Sequence, residues 1–307
     1  MKYRRLGKTG LRVSVVGVGT WQFGGEWGKK FQQDEVNAMF DQAEKLGINL
    51  ADTAECYGDH LSERFVGEAL KGRRDRWIIA TKFGHKFHRP FERDIIYDPP
   101  AVQKQLEDSL KALQTDYVDL YQFHSGPDEL FDTDGLWDML NRQKEAGKIR
   151  HLGISIGANT NIYQTDKAGE VNAEVIQVVY NRLDRKPEEQ VFPSCMKQDL
   201  GVLARVPLAS GLLSGKYKPG DTFEKDEVRG HWQSPEQIEQ TLRDVEQLRQ
   251  GEVPAGVPMA QWALAWCLQH PAVTCVIPGC KSAEQVASNA AAAELHIVCD
   301  DHPQAVV

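Results

Sequence analysis

Short β-branched or apolar runs alternate along the chain with segments whose apolar residues recur at helical spacing. Eight runs stand out: Val13–Thr20, Ile48–Thr53, Trp77–Lys82, Val118–His124, His151–Ile156, Val175–Asn181, Gly201–Leu208 and Val273–Gly279. Between them the period changes. Val36, Met39, Phe40, Ala43 and Leu46 line one helical face, as do Leu61, Phe65, Val66, Ala69 and Leu70, and then Val102, Leu106, Ser109, Leu110 and Leu113. Ser234-Pro235-Glu236-Gln237 and Ser282-Ala283-Glu284-Gln285 have the form of capping boxes that start helices. Near-continuous apolar strands, each followed by a helix, imply a parallel sheet covered on both faces. Eight such units predict a closed (β/α)8 TIM barrel, with residues 1–307 forming a single domain, rather than an open sheet of some five or six strands. Ahead of the first run, Tyr3–Gly7 and Leu11–Val13 flank Lys8-Thr9-Gly10, which predicts a β-hairpin plugging the barrel floor. Ser214–Gln233, charged and carrying Gly215, Pro219, Gly220 and Gly230, is too long for an ordinary connection. It reads either as a lid or as a mobile surface loop.

The charge balance narrows the partners. With 36 Lys+Arg against 44 Asp+Glu the net charge is −8, whereas binders of nucleic acid or acidic membranes carry a positive excess. No window approaches the roughly 18 apolar residues of a membrane span, and the charged start Met1-Lys2-Tyr3-Arg4-Arg5 runs into no signal-like stretch. A cytoplasmic protein, a monomer or weak oligomer, with no nucleic-acid or membrane partner is expected. Cys56, Cys195, Cys267, Cys275, Cys280 and Cys299 show neither a C-x-x-C pair nor a histidine at zinc spacing. Free thiols and no metal are expected.

In a barrel, reactive groups gather where the strands end. The second run is followed by Asp52-Thr53-Ala54-Glu55-Cys56-Tyr57-Gly58, the third ends in Thr81-Lys82, and the fourth ends in Gln122-Phe123-His124. Neighbouring strands thus offer a carboxylate, a phenol, an ammonium and an imidazole. Such a set suits proton donation by the phenol. Free tyrosine titrates near pH ~10, and an adjacent ammonium favours the phenolate and lowers that value. Lys82 supplies the charge, Asp52 compensates its desolvation, and a neutral His124 can orient a carbonyl oxygen. Singly, these residues read as a cap, a packing group, a solvated lysine and a structural histidine. Together, at adjacent strand ends, they carry a functional reading.

These residues, in this order, resemble a known family. Asp52 five positions before Tyr57-Gly58, Thr81-Lys82, Leu120-Tyr121-Gln122-Phe123-His124, Gly153-Ile154-Ser155 and Ile277-Pro278-Gly279 resemble the aldo-keto reductases, near the bacterial branch that borders the potassium-channel β subunits. The resemblance runs from about Tyr3 to Leu295 and includes Leu113–Leu120, Gly147–Arg150 and Gly211–Lys216. It implies a barrel without a Rossmann domain that binds NADPH, with NADH possible, and reduces aldehydes or ketones. Tyr57 would be the general acid, Lys82 and Asp52 its tuning pair, and His124 the carbonyl-orienting group.

The resemblance further places the nicotinamide amide near Ser155 and Gln177, with Asp52 close to its ribose and Asn181 a weaker neighbour. Pro207, Leu208, Ser210, Gly211 and Leu213 would receive the pyrophosphate, with Lys216 nearby. Gly279, Lys281, Ser282, Gln285 and Asn289 would meet the adenosine phosphate at a helix N-terminus. Gly19 and Thr20 would approach the cofactor, while Trp21 and Phe23, with Tyr57 and His124, would line the substrate pocket. Trp27, Phe87 and Trp232 could add apolar walls or serve ordinary packing.

This sequence departs from the family pattern at three places. Ser155-Ile156 replaces Ser-Asn, Arg205 replaces a stacking aromatic, and Gln285 replaces an arginine facing the 2′-phosphate. Arg205 can still stack through its planar guanidinium. Gln285 removes a charge-assisted contact, which leaves Lys281 as the main cation there and weakens the expected preference for NADPH. Gly17–Gly25 superficially suggests a dinucleotide fingerprint, but its glycine spacing is wrong and no helix is expected before about Asp34. The resemblance leaves one alternative activity: a redox-sensing regulatory subunit that holds NADP(H) and turns over slowly.

Overall fold

The eight apolar runs pair into one parallel sheet that closes on itself. The structure, a computed structural model, describes residues 1–306. Its strands are β1 (Tyr3–Arg5), β2 (Arg12–Ser14), β3 (Val18–Gly19), β4 (Leu50–Asp52), β5 (Ile78–Phe83), β6 (His85–Arg89), β7 (Glu92–Ile95), β8 (Val118–His124), β9 (Ile149–Ser155), β10 (Ala173–Val179), β11 (Gly201–Arg205), β12 (Cys275–Val276) and β13 (Ala305–Val306). Around them lie α1 (Gln33–Lys45), α2 (Leu61–Ala69), α3 (Pro99–Leu113), α4 (Asp128–Phe131), α5 (Leu136–Glu145), α6 (Ile162–Asp166), α7 (Val191–Lys197), α8 (Val228–Trp232), α9 (Pro235–Gly251), α10 (Met259–Leu268) and α11 (Ala283–Ala290). The barrel order is β3-β4-β5-β8-β9-β10-β11-β12. Parallel bridges Val16↔Val276 and Gly19↔Gly279 join its two ends.

Strand periodicity sorts the core into two shells. Leu50, Ala80, Leu120, Val175 and Leu203 point inward and pack together, while their neighbours Ile79, Tyr121, Ile176 and Val202 pack in the shell that includes the helix faces. Each fully buried large apolar side chain contributes roughly 1.5–3 kcal/mol relative to exposure. Leu6 and Val13, from the β1–β2 hairpin, are fully buried in the inner cluster and so plug its floor. Gly7 makes this approach possible. Its φ is +52°, and a Cβ there would lie 2.1 Å from the Gly201 backbone nitrogen.

The floor has a third strand that periodicity did not reveal, since β13 pairs with β1 through Tyr3↔Val306. The run Val13–Thr20 proves to be two elements. Val13 and Ser14 pair with Arg4 and Tyr3 on the floor, and only Val18 and Gly19 join β4 in the barrel. A 3-10 turn at Trp21–Gly24 precedes α1. Ser234 forms a reciprocal capping box with Gln237. Ser282 accepts from the Gln285 N–H, but the Gln285 side chain turns to the Lys281 N–H, so this second box closes only on one side. Among the described residues all six cysteines are free thiols, and no helix is long and apolar enough to cross a membrane.

Candidate active site

Three strands and one turn bring the chemistry together. Asp52 closes β4, Lys82 stands in β5 and His124 closes β8, while Tyr57 is carried on the turn that leaves β4. Parallel pairing aligns them, with Asp52 opposite Ala80 and Lys82 opposite Gln122. Lys82, fully buried, donates to Asp52 Oδ1 at 2.8 Å, to the Thr53 carbonyl at 2.6 Å and to the Tyr57 hydroxyl at 3.3 Å. Asp52 Oδ2 accepts from Gln177 Nε2 at 2.7 Å and from Gln122 Nε2 at 3.3 Å. The Tyr57 and His124 rings meet edge-on, 6.2 Å apart. His124 is fixed through its backbone: Tyr97 donates its hydroxyl to the His124 carbonyl at 2.7 Å. Gly84 makes room for that tyrosine, since its φ is +116° and a Cβ would lie 2.2 Å from the Tyr97 ring.

The electrostatics correct one expectation. Burial pushes the Tyr57 phenol up to about 12, against the pull of Lys82, while Asp52 and Cys56 push it further up. Desolvation of a phenolate outweighs an ammonium whose charge Asp52 already balances. Tyr57 therefore holds its proton at neutral pH. Burial would strip the proton from Lys82, but the Asp52 carboxylate and Tyr57 outweigh it, so the ammonium titrates above its usual value. Burial, reinforced by Lys82, Arg93 and Arg205, holds His124 well below the ordinary histidine range, so the ring is neutral.

These groups open onto a cavity of about 700 Å³. Asp52, Tyr57, His124, Gln177, Gly19 and Thr20 reach its wall, as does Trp21, which stacks on Tyr57 at 6.1 Å. Arg205, Pro207, Leu208, Ser210, Gly211 and Lys216 line a second side, and Gly279, Lys281, Gln285 and Asn289 a third. Trp27 and Trp232 complete the rim.

Other expected residues lie elsewhere. Lys82 sits behind Asp52 and Tyr57. Asn181 organises a turn, accepting from the Leu183 and Asp184 N–H groups, and is not on the wall. Leu213 is buried against Val245, Met259 and Trp262. Ser282 caps α11, Phe23 packs on Phe31, and Phe87 packs in the cluster of Ala54, Cys56 and Tyr57. Ser155 is buried next to Gln177 in the sheet, and its hydroxyl has no partner among the described residues.

Sequence reading missed Arg93, Gln22, Tyr217 and Arg229 on the wall. Arg93 comes from the β6–β7 hairpin, whose charged and exposed sequence carries no apolar alternation. Tyr217 and Arg229 come from Ser214–Gln233, which is not a bare loop: α8 folds within it, Trp232 packs on Trp21 at 5.4 Å, and His231 stacks on Phe91 at 4.1 Å.

The cavity suits an elongated polyanion. Val206, Ala209, Ser210 and Gly211 all adopt positive φ, a backbone conformation that can turn N–H groups inward. Lys216 and Lys281 both line the cavity, and behind Gln177 the buried Ser155 hydroxyl is left without a partner among the described residues.

Comparison with known proteins agrees with this geometry. The model of the Aldo/keto reductase family matches residues 15–305. Aldo-keto reductase YhdN of Bacillus subtilis (strain 168) is 35% identical over 93% of this chain and 87% of its own. The NADH-specific methylglyoxal reductase of Escherichia coli (strain K12) is 30% identical over 97% of this chain and 95% of its own. The holo form of aldo-keto reductase AKR11C1 from Bacillus halodurans superposes with a TM-score of 0.81 and 33% identity, covering 99% of this chain and 94% of that one. Barrel, mouth chemistry and likeness coincide, and the chain belongs to the aldo/keto reductase family, with a nicotinamide dinucleotide, NADPH or alternatively NADH, as its cofactor.

Proposed function

We propose that this protein reduces small aldehydes or ketones to alcohols, with Tyr57 as the proton donor and NADPH as the favoured but not exclusive reductant. The observation that carries this reading is the position of Lys82 Nζ, 2.8 Å from Asp52 Oδ1 and 3.3 Å from the Tyr57 hydroxyl, directly behind these two wall residues. A nicotinamide dinucleotide bound in this cavity would supply the hydride for the carbonyl carbon. Tyr57 gives its proton to the carbonyl oxygen as negative charge develops there, and Lys82 steadies the phenolate that remains. A phenol that otherwise titrates near 12 does not lose its proton to water first. His124 Nδ1 is turned towards Cys56, 3.7 Å away, which leaves Nε2 to hold the carbonyl oxygen. Asp52, gripped by Gln177 and Gln122, keeps Lys82 charged.

The cofactor grip divides along the cavity. Ser155 and Gln177 would hold the carboxamide, the Pro207–Gly211 backbone with Lys216 the pyrophosphate, and Lys281 with Gln285 and Asn289 the adenosine end. With a neutral Gln285, discrimination for the 2′-phosphate rests on Lys281, so NADH is also accepted.

Tyr57→Phe tests the assignment. NADPH affinity by fluorescence titration should stay within about twofold, while kcat for aldehyde reduction falls by roughly 10²–10⁴-fold. Unchanged turnover would remove Tyr57 as the donor. A wild-type protein as slow as this variant across an aldehyde panel would instead mark a cofactor-holding regulatory subunit.

A further inference from the structure

We propose that Glu55, Cys56, His85 and His124 form a Zn²⁺ site behind the mouth of the barrel. Cys56 Sγ lies 3.7 Å from His124 Nδ1 and 3.8 Å from His85 Nδ1, and Glu55 Oε2 lies 3.7 Å from His124 Nδ1. All four ligand atoms fall within 4.8 Å of one another. Tetrahedral zinc with bonds of about 2.0–2.3 Å sets its ligands roughly 3.3–3.8 Å apart, so these spacings already approach the edges of a coordination tetrahedron. One thiolate, two imidazoles and a carboxylate are a donor set of the borderline softness that zinc prefers.

A second observation points to a ligand. Glu55 is 2% exposed, and its Oε1 accepts from the His85 N–H at 2.9 Å. Its Oε2 is buried and has no hydrogen-bond partner among the described residues. A buried carboxylate oxygen left in this state is costly, and a cation at the centre of the cluster would satisfy it.

Burial and the Glu55 carboxylate favour the Cys56 thiol, and the Arg93 guanidinium opposes them. Arg93 Nη1 donates to Cys56 Sγ at 3.2 Å, while Glu26 balances the same guanidinium at 2.8 Å. One adjustment is needed. The His85 and His124 rings are stacked, with centroids 4.4 Å apart and planes inclined by 23°, so their in-plane lone pairs run side by side. His85, the partly exposed ring, turns to meet the shared ion. Binding forms one Zn–S, two Zn–N and one Zn–O bond and releases the Cys56 thiol proton to solvent, with no change of oxidation state. With Nδ1 of His124 on the metal, its remaining proton is held on Nε2.

The metal-free expectation failed to anticipate this cluster because cysteine spacing reports only local sites. Glu55 and Cys56 leave β4, His85 opens β6 and His124 ends β8, so only barrel closure assembles them.

The test uses the reduced full-length protein and Co²⁺ as a spectroscopic probe. One equivalent of Co²⁺ should give intense tetrahedral visible bands and a thiolate-to-cobalt transition in the near ultraviolet, both abolished by competing Zn²⁺. Cys56→Ala should lose the thiolate transition, and His85→Gln should weaken Zn²⁺ binding by roughly tenfold or more. Cys299→Ser, at the exposed thiol, should change neither. Circular dichroism verifies that each variant is folded. Absence of Co²⁺ binding, a weak octahedral spectrum, or unaltered binding in folded Cys56→Ala and His85→Gln would overturn the proposal. None of these readings depends on carbonyl reduction, so the two assignments stand or fall separately.

Discussion

At position 285 the side chain that would face a ribose phosphate is neutral and already engaged, its Oε1 accepting from the Lys281 N–H at 2.8 Å. Replacing it by arginine adds a charge-assisted hydrogen bond, worth about 1.5–3 kcal/mol, to any ligand that carries the phosphate. Gln285→Arg should therefore tighten NADPH by roughly tenfold or more and leave NADH nearly unchanged in paired fluorescence titrations. Equal tightening of both would show that residue 285 does not face the phosphate. The Lys82–Asp52 pair answers to a different rule. Lys82 is fully exposure-free, so removing its counter-charge leaves an ammonium buried alone. Asp52→Asn should cost about 3 kcal/mol in urea unfolding, the scale of a broken buried pair, together with most of the reductase activity. A loss under about 1 kcal/mol would mean that Gln122, Thr53 and the asparagine together satisfy the lysine.

Elements differ in how much of themselves they write into the sequence. Strands buried on both faces were legible, and Val118–His124 was read to the residue, because every position between covers must be apolar or paired. That also exposed Asp52, Lys82 and His124, polar groups at the ends of apolar runs. The β6–β7 hairpin left no such trace, since His85–Ile95 packs few apolar side chains and pays no penalty for an irregular pattern. The first run misled for the opposite reason: Val13 and Val18 are both fully buried or nearly so, one in the floor and one in the barrel wall, and hydrophobicity cannot tell the two apart. For Ser214–Gln233 the length was readable and the docking was not. Its last aromatic, Trp232, is 56% exposed yet lies against Trp21 at the rim, which makes it a clasp rather than a core residue. Trp232→Ala should raise KM for the carbonyl substrate several-fold while shifting stability by no more than about 0.5 kcal/mol, in steady-state kinetics paired with thermal melts. A large loss of stability with unchanged KM would make Trp232 a packing residue instead.

Across the whole molecule charge is unevenly spread. The chain has a net charge of −8, yet Lys216, Lys281, Arg205 and Arg229 face the cavity, a local reversal that favours an anionic nucleotide. Acid sensitivity is shared by both ends, with His124 and His85 depressed at the mouth and His302 at the floor. His302 is 8% exposed, its Nδ1 accepts from the Gln304 N–H at 3.1 Å, and burial, with Arg4 nearby, lowers it to about 4. An unfolded histidine titrates near ~6.5. Between those values the unfolded chain takes up a proton that the folded chain refuses, so this contribution to stability is intact above pH ~6.5 and disappears as pH falls towards 4. The slope is at most about 1.4 kcal/mol per pH unit, less with solvent screening at the floor's edge. His302→Gln should flatten that part of the profile in urea midpoints compared at pH 7 and pH 5. A slope identical to wild type would remove His302 as a contributor.

The pairing of Tyr3 with Val306 sets the chain's first and last strands side by side on the face opposite the mouth. Reporter domains fused beyond either strand would therefore hang clear of incoming substrate. A short peptide splicing the two strands, with new ends cut into the Ser214–Gln233 segment, should yield a rewired chain that folds to the same barrel.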